Sequence, residues 1–207
     1  MMQPFTVVKG RAACLMNANI DTDVIIRIER LTAGDRTRLG HYALEALRYL
    51  PDGAENPGFP FNQSKYRGAP ILITGRNFGC GSSREGAVWA LMGMGLRCVI
   101  AESFGDIFYG NCFQNGILPI RLPGDSIREI AAESTKSDAP FLIDLAECAI
   151  ATPVGRVIEF HIDKLRREAL LSGLDEIALT LRDESKIAAW QAADRQQRPW
   201  IWRSGDQ

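Results

Sequence analysis

Residues 71–94 read ILITGRNFGCGSSREGAVWALMGM, and this stretch predicts a strand, a tight loop and a helix in that order. The apolar run Ile71–Thr74 is typical of a short buried strand. Glycines at positions 75, 79 and 81 predict a tight loop, because glycine accepts backbone conformations that other residues avoid. The segment from Ala87 to Met92 is rich in good helix formers. A strand, a glycine loop and a helix in this order are typical of an α/β fold.

Two serines and an arginine stand between the glycine loop and the helix. Serine before an apolar helical run, with Glu85 close behind, is an N-cap signal. We therefore expect Ser82, Ser83 and Arg84 at the helix N-terminus, where free N–H groups and the helix dipole favour negative charge. Together with Gly81, which lets a ligand approach the backbone, they predict an anion-binding corner. The alternative is a plain capped helix start whose glycines serve packing.

Composition narrows the class of protein. The chain has 207 residues, 46% of them hydrophobic, and a net charge of −1, which is ordinary for a globular protein with a real core. Without a basic excess, neither nucleic acid nor an anionic membrane surface is indicated as a partner. No apolar run reaches transmembrane length, and the first residues lack the long apolar region of a signal peptide. These features predict a soluble protein.

Cysteine and histidine usage argues against several kinds of chemistry. The five cysteines are scattered, and no CxxC pair occurs, so a zinc site or an iron–sulfur cluster held by this chain alone is not expected. Such usage favours a reducing, cytoplasmic compartment. The two histidines, His41 and His161, are interpreted as surface or structural residues. Cys80 in the glycine loop is interpreted as a small packing residue, because no base is in view.

The glycine loop also resembles a dinucleotide-binding motif. In the pattern G-x-G-x-x-G that begins at Gly79, the third glycine would fall at position 84, which is Arg84. Glu102 is close enough to be considered as the acidic residue of that motif. A P-loop and a nucleophile elbow are absent. A nucleotide-binding oxidoreductase domain therefore stays open as an alternative from another class.

Other polar segments allow two interpretations each. Asp21-Thr22-Asp23 is a candidate metal or base pair, or an Asx turn. Arg30, Arg36 and Arg38 lie in a charged stretch that either holds a carboxylate or is a solvated face. Trp200 and Trp202 form either an anchor for a partner or a tail folded back on the core.

The remaining elements complete an α/β pattern. Phe5–Leu15 predicts a strand broken at Gly10, and His41–Leu50 predicts a helix. Residues 51–70 predict a long loop, because they contain four prolines and three glycines. Leu174–Leu181 predicts a short strand or turn, and Asp183–Gln196 a final helix.

Four motifs together resemble a known family. They are Asn19–Ile26 (NIDTDVII), Asn77–Glu85 (NFGCGSSRE), Ser103–Asn111 (SFGDIFYGN) and Gly173–Leu181 (GLDEIALTL). They resemble, in order and over nearly the whole chain, the small subunits of 3-isopropylmalate dehydratase, which are similar to the swivelling domain of aconitase. The resemblance implies a single β/β/α swivelling domain spanning residues 1–207, with a C-terminal helix and tail from about residue 183.

The resemblance also implies an activity and a partner. The family dehydrates and rehydrates hydroxy-dicarboxylates through an alkene, here in leucine biosynthesis. A larger subunit would carry a [4Fe–4S] cluster whose iron acts as a Lewis acid on the departing hydroxyl, while this chain binds no metal. Ser82 would be the catalytic base, Arg84 the carboxylate clamp, and Ser83 a supporting hydroxyl. Asp23 and Gly81 would lie at the substrate.

Two residues depart from the family pattern and bear on the substrate. Gly86 stands where the family usually has histidine, and Arg27 stands where it usually has proline. Both lie beside the expected site, so a related hydratase acting on another alkyl-malate, such as citramalate or dimethylmalate, is an alternative. A non-catalytic protein that regulates a partner is another.

Overall fold

The computed structural model describes residues 2–32 and 35–202. The strands are β1 (Val7–Gly10), β2 (Ala12–Leu15), β3 (Ile71–Thr74), β4 (Cys98–Ala101), β5 (Leu118–Arg121), β6 (Phe141–Asp144), β7 (Ala149–Ala151) and β8 (Val157–Glu159). The helices are α1 (Thr22–Ile25), α2 (Ile28–Thr32), α3 (Leu39–Tyr42), α4 (Glu45–Arg48), α5 (Gly86–Gly93), α6 (Asp106–Asn115), α7 (Gly124–Lys136), α8 (Lys164–Ser172), α9 (Glu176–Leu181) and α10 (Glu184–Gln197). Short 3₁₀ turns cover Arg36–Arg38 and Pro60–Asn62.

The strands form two sheets of opposite character. One is parallel, with the order β2-β3-β4-β5, and the other is antiparallel, with the order β1-β6-β7-β8. β3 and β4 are buried along their whole length, as expected for central parallel strands covered on both faces. Pro119 lies in β5 at the edge of its sheet, where the missing N–H is tolerated.

The side chains of the parallel sheet alternate between two hydrophobic cores. Leu72 and Val99 face the core shared with α5 and α6, whereas Ile71 and Ile73 face the core shared with α7 and the antiparallel sheet. Because successive side chains of a strand point to opposite faces, the parallel sheet packs against both the helices and the antiparallel sheet. The layers are therefore an antiparallel sheet, a parallel sheet and a layer of helices. The β/β/α architecture predicted from the sequence is therefore confirmed. That residues 1–207 form one domain stays a prediction.

Gly10 separates two strands that belong to different sheets. β1 pairs with β6, whereas β2 pairs with β3, so the chain crosses from one sheet to the other between Gly10 and Ala12. A Cβ atom on Gly10 would lie 2.5 Å from Pro70 Cγ, which explains why the smallest residue occupies the crossing. The predicted break at Gly10 is thus confirmed.

Two local predictions are wrong. The helix expected over His41–Leu50 is split into α3 and α4, because Leu44 adopts a left-handed conformation with φ of 56°. In that conformation Leu44 is buried, and its N–H donates to Ile25 O at 2.9 Å. Leu174–Leu181, expected as a strand or turn, contains α9, whose N-cap Asp175 accepts from Ala178 N at 2.8 Å. Among the described residues, no helix has the length and apolar character needed to cross a membrane.

Candidate functional site

Three loops meet at the carboxyl-terminal edge of the parallel sheet. Backbone hydrogen bonds join Gly79 N to Ile20 O at 2.7 Å and Thr22 N to Cys80 O at 2.9 Å, linking the loops after β2 and β3. Phe78 N donates to Ser103 O at 3.0 Å, which adds the loop after β4. Ligands of open α/β sheets bind outside this edge, so the sheet order brings three of the four sequence motifs to a place suited to a site.

Two glycines of the central loop adopt conformations that other residues avoid. Gly79 has a φ of +70°, and a Cβ atom there would lie 2.2 Å from the Phe108 ring. Gly81 has a φ of +89°, and a Cβ atom there would reach Asp21 Cβ at 3.4 Å. Gly79 is thus required by both conformation and close packing, while Gly81 is required mainly by conformation. The two fix the path of the chain that leads to Ser82.

The helix after the loop begins later than the sequence predicted. α5 starts at Gly86, and its N-cap is Glu85, whose side chain does not cap the helix. Glu85 Oε1 instead accepts from Asn115 Nδ2 at 2.8 Å on α6. Ser82 and Ser83 therefore lie in the loop, and neither is the N-cap. The prediction that a serine caps this helix is wrong, because α5 begins at Gly86 and a separate turn, in which Arg84 N donates to Ser82 O at 2.8 Å, comes before it.

The Ser82 and Ser83 side chains are exposed at the crest of the three loops. Their hydroxyls form no hydrogen bond with the described residues, whereas the Ser82 backbone is fixed. The carbonyl of Ser82 accepts from the Thr22 hydroxyl at 3.1 Å, in addition to its bond with Arg84 N. A held backbone with a solvent-facing hydroxyl can present Ser82 to a ligand from outside the chain.

Arg84 and Asp23 form an ion pair across 61 residues of sequence. Arg84 Nη1 donates to Asp23 Oδ1, and the Arg84 side chain is 21% exposed while that of Asp23 is 59% exposed. The pair brings together two of the residues predicted for the site. Guanidinium carries five donors in a planar fork, so a contact through Nη1 to Asp23 leaves others for an incoming carboxylate.

Asp21 plays a structural role that the sequence left open. Its carboxylate accepts from Val24 N at 2.8 Å and caps α1, and its backbone bridges to Cys80. The Asx-turn interpretation therefore holds for Asp21, while Asp23, in the first turn of α1, pairs with Arg84. Each carboxylate thus has a partner within the chain, and no group of three potential metal ligands occurs among the described residues.

The arginines after α1 have different partners. Arg30 Nη2 lies 3.0 Å from Glu45 Oε2, and Arg27 Nε lies 3.4 Å from Glu45 Oε1. The hydrogen bond that Arg30 Nε donates to the Glu45 carboxylate raises the pKa of Arg30 above its ordinary value. The Glu45 side chain is only 13% exposed. A carboxylate buried to this degree needs a partner, and the two arginines neutralise its charge. No sequence pattern indicated Glu45, because its partners lie on other elements of the chain.

Arg36 and Arg38 lie over aromatic rings. The Arg36 guanidinium stacks on Trp89 at 3.7 Å from the ring centre, and Arg38 lies 5.8 Å from Tyr42. Trp89 is in the first turn of α5, and its Nε1 donates to Asn115 Oδ1 at 2.9 Å. Arg36 is therefore brought next to the helix that follows Arg84. Neither Arg36 nor Arg38 forms an ion pair within the part of the chain that the structure describes.

Leu31 occupies the space beside Gly86. A Cβ atom on Gly86 would lie 2.4 Å from Leu31 Cδ2, so a larger residue at position 86 would displace the Leu31 side chain. The space that a side chain at position 86 would occupy is thus filled by Leu31 of α2. The other departure, Arg27, pairs with Glu45. The two differences are connected structurally, since Leu31 lies in α2 and Arg27 directly precedes it.

The thiols offer no ligand set for a metal cluster. Burial raises the pKa of the Cys98 and Cys112 thiols, and also that of Cys14. A buried thiol with a raised pKa is a poor source of the thiolate that a cluster requires. All five cysteines are free.

Comparison with known proteins agrees with this fold and this arrangement of loops. Residues 2–125, more than half of the chain, match the family model described as the aconitase C-terminal domain. Residues 176–201 match the model described as the C-terminal domain of the 3-isopropylmalate dehydratase small subunit. The first match defines the class, which is the aconitase-like α/β domain.

Individual relatives define the family within that class. The chain is 50% identical over 200 residues to the 3-isopropylmalate dehydratase small subunit of Rhodospirillum centenum, covering 96% of this chain and 98% of that protein. It is 47% identical to that of Paramagnetospirillum magneticum, covering 97% and 100%. The crystal structure of 3-isopropylmalate dehydratase from Methanocaldococcus jannaschii superimposes with a TM-score of 0.65 at 30% identity, covering 88% of this chain and 99% of that one. The chain belongs to the family of 3-isopropylmalate dehydratase small subunits.

Proposed function

We propose that this chain is the small subunit of a two-subunit hydro-lyase of leucine biosynthesis. The enzyme interconverts 2-isopropylmalate and 3-isopropylmalate by dehydration and rehydration through isopropylmaleate. One observation carries the proposal. In a chain of this family, the guanidinium of Arg84 is held by Asp23 beside the exposed hydroxyls of Ser82 and Ser83.

The reaction requires a proton to leave a carbon that is next to a carboxylate. In the proposal, Ser82 Oγ takes that proton, and the same group returns it in the reverse direction. An alkoxide serves as a base when nearby positive charge stabilises it. Arg84, close behind in the chain, supplies that charge, and the fixed carbonyl of Ser82 keeps the hydroxyl at the crest of the loops.

The neighbouring residues position the substrate. Arg84 binds a substrate carboxylate through the donors that Asp23 does not use, and Asp23 holds the fork in its plane. Ser83 adds a hydroxyl to the same carboxylate. Gly81, with its positive φ and no side chain, lets the substrate approach the loop closely.

A second carboxylate of the substrate needs another cation. Among the three arginines considered, Arg30 is committed to Glu45. Arg36 stacks on Trp89 at the start of α5, close in the fold to the segment that carries Arg84. Stacking on an indole orders a guanidinium without neutralising it. These contacts support Arg36 over Arg30 and Arg38 as the second carboxylate contact.

The proposed partner is a large subunit that carries the [4Fe–4S] cluster of the family. The described residues of this chain do not fit a cluster, because they form no group of three ligands and Cys98 and Cys112 are buried. This chain would therefore contribute the base and the carboxylate clamp, and it would act in the cytoplasm with its partner.

The test is an anaerobic capture of the tagged chain from its native host. The captured material is assayed for iron, sulfide and the formation of isopropylmaleate from 2- and 3-isopropylmalate. A larger iron–sulfur partner with this activity is the expected result. A tagged Ser82→Ala chain serves as the matched control, and it should capture the same partner without the activity.

Other outcomes separate the alternatives. Activity with citramalate or dimethylmalate in place of isopropylmalate would keep the reaction and change the substrate. An active complex with Ser82→Ala would leave this chain a non-catalytic partner. Capture of no iron-containing partner, together with binding of NAD or a flavin, would favour the nucleotide-binding alternative.

A further inference from the structure

The last two helices and the tail after them, residues 176–202, form a segment that we call the C-terminal arm. Along α10 every residue is exposed except Gln191 and Asp194. Asp194 is covered by the arm itself, since its carboxylate accepts from Trp202 Nε1 at 2.7 Å and from Arg198 Nε at 2.6 Å. The tail is therefore folded back on its own helix, and the helix leaves its apolar side chains in solvent.

Those apolar side chains are large and numerous. Ile177 is 73% exposed, Trp190 59% and Trp200 66%, and further exposed apolar residues of the arm are Leu181, Ile187 and Ile201. Taking roughly 200 Å² for an indole, the arm exposes apolar area on the order of 500 Å². A typical specific interface buries about 800 Å² on each partner, and the summed exposed apolar area of the arm is more than half of that.

A groove lies at the base of the arm. It has a volume of about 310 Å³ and runs between α6, α8 and α9, with Phe113, Leu165 and Leu179 among its walls. The Arg166 guanidinium lies 4.9 Å from the centre of the Phe113 ring at its edge. Arg166 and the acidic residues Asp163, Asp175 and Glu176 also line the groove, so it has apolar walls and charged groups around them. Such a cleft can accept an apolar side chain from a partner.

The arm is continuous with the candidate site through the end of α6. Gln114 Nε2 donates to Glu176 Oε1 at 3.2 Å, where α9 begins. The next residue, Asn115, donates to Glu85 Oε1 at 2.8 Å, directly after Arg84. The end of α6 therefore contacts both the segment that follows Arg84 and the base of the arm.

The two family matches link the arm to the two-subunit organisation. The aconitase C-terminal domain model ends at residue 125, whereas the model that covers residues 176–201 is described for the 3-isopropylmalate dehydratase small subunit. The arm is therefore the part of the chain that matches a model described for a small subunit, a name that implies a larger partner.

We infer that the C-terminal arm and the groove at its base are the docking surface for the large subunit. This inference rests on the proposed function, because the large subunit is the partner that completes the Ser82–Arg84 site. Trp190 and Ile177 are the anchors, and the groove receives an apolar side chain of the partner. A second copy of this chain is the competing occupant, but its binding would not explain why the surface adjoins the site.

The test titrates the full-length chain against the reconstituted large subunit of the same organism under anaerobic conditions. Trp190→Glu and Ile177→Glu are compared with Val154→Glu, which makes the same kind of change at an exposed apolar residue in the turn between β7 and β8. Both arm variants should weaken the complex by at least about 30-fold, as expected for interface anchors. Turnover should recover at saturating small subunit, while Val154→Glu leaves the dissociation constant within about two-fold of the parent.

The outcomes distinguish this inference from the proposed function. If the parent chain binds and activates the large subunit and both arm variants do so equally well, the docking surface is wrong and the function stands. If the arm variants abolish self-association of the isolated chain but leave the two-subunit complex intact, the occupant is a second copy. If the parent forms no complex with the large subunit, the proposed function fails and the docking surface fails with it. Circular dichroism checks that both variants retain the helix content of the parent, since Ile177 lies in α9 and Trp190 in α10.

Discussion

The loop that carries Ser82 and the C-terminal arm use opposite means to expose functional groups. The loop is fixed by backbone hydrogen bonds to two other loops, and Gly79 packs directly on Phe108. It exposes small hydroxyls and one side of a guanidinium. Among the described residues, α10 and the tail form hydrogen bonds only within the arm, and the arm exposes large apolar side chains. Catalysis requires reacting groups held in fixed positions, and the loop provides them. Binding of a partner protein requires a large exposed surface, and the arm provides that.

The largest expected effect is on the chemistry of the loop. Ser82→Ala should lower turnover of the assembled complex by about 10³-fold, within the range for loss of a general base. The thermal midpoint and the affinity for the large subunit should not change, because the Ser82 hydroxyl is exposed and bonds to none of the described residues. Ser83→Ala is the matched control, and it should lose about ten-fold at most. Equal losses in the two variants would contradict the assignment of the base to Ser82.

The rigidity of the loop predicts the next effect. Gly79→Ala should lower the free energy of unfolding by about 3 kcal/mol, because a φ of +70° is strained for alanine and the new Cβ meets the Phe108 ring. Urea denaturation measures the change. Gly68→Ala isolates the conformational part, since Gly68 has a φ of +73° and no atom within 4 Å of a Cβ, and it should lose about 1 kcal/mol. Equal changes in both variants would show that Phe108 does not hold the loop.

Substitution of Arg84, the proposed carboxylate clamp, should have a smaller kinetic effect than Ser82→Ala. Arg84→Lys should reduce kcat/KM by about 10- to 100-fold, because an ammonium cannot hold Asp23 and a substrate carboxylate in one plane. Steady-state kinetics of the reconstituted complex measures it. The control is Arg76→Lys, in the same loop and exposed, which should leave kcat/KM nearly unchanged. Normal kinetics for Arg84→Lys would remove Arg84 from the site.

The smallest effect concerns the arm. The hydrogen bond from Trp202 and the contacts with Arg198 hold the pKa of Asp194 below its ordinary value. A depressed folded pKa stabilises the closed tail above the ordinary pKa, and this contribution is lost as the pH falls through the lower, folded value. Fluorescence of the tail tryptophans should therefore change below about pH 4. In Asp194→Asn the same signal should not depend on pH in this range. A transition of equal size in that variant would assign it to another group.

Only part of the site could be predicted from the sequence, and the reason why a residue was found or missed differs from one residue to the next. Ser82, Ser83 and Arg84 are consecutive, so a glycine loop was enough to mark them. The resemblance placed Asp23 near the site, but its contact with Arg84 was not predicted, since 61 residues separate the two. The serine cap was wrong because α5 begins at Gly86, which makes Glu85 the N-cap and leaves both serines in the loop. The roles of Glu45, Leu31 and Trp89 were not predicted, because their partners lie on other elements.

The sequence by itself determined the alternation of strands and helices, the glycine loop and the membership of the family. These features depend on local periodicity and on residue types at fixed spacing, which the chain carries at every position. The tertiary structure alone decided the crossing between sheets at Gly10, the split of the helix at Leu44 and the contact of Asp23 with Arg84. Each of these depends on which strands become neighbours, and that is fixed when the whole core packs. The exposure of the arm was decided in the same way, because a surface is free only after the rest of the chain has buried what it can.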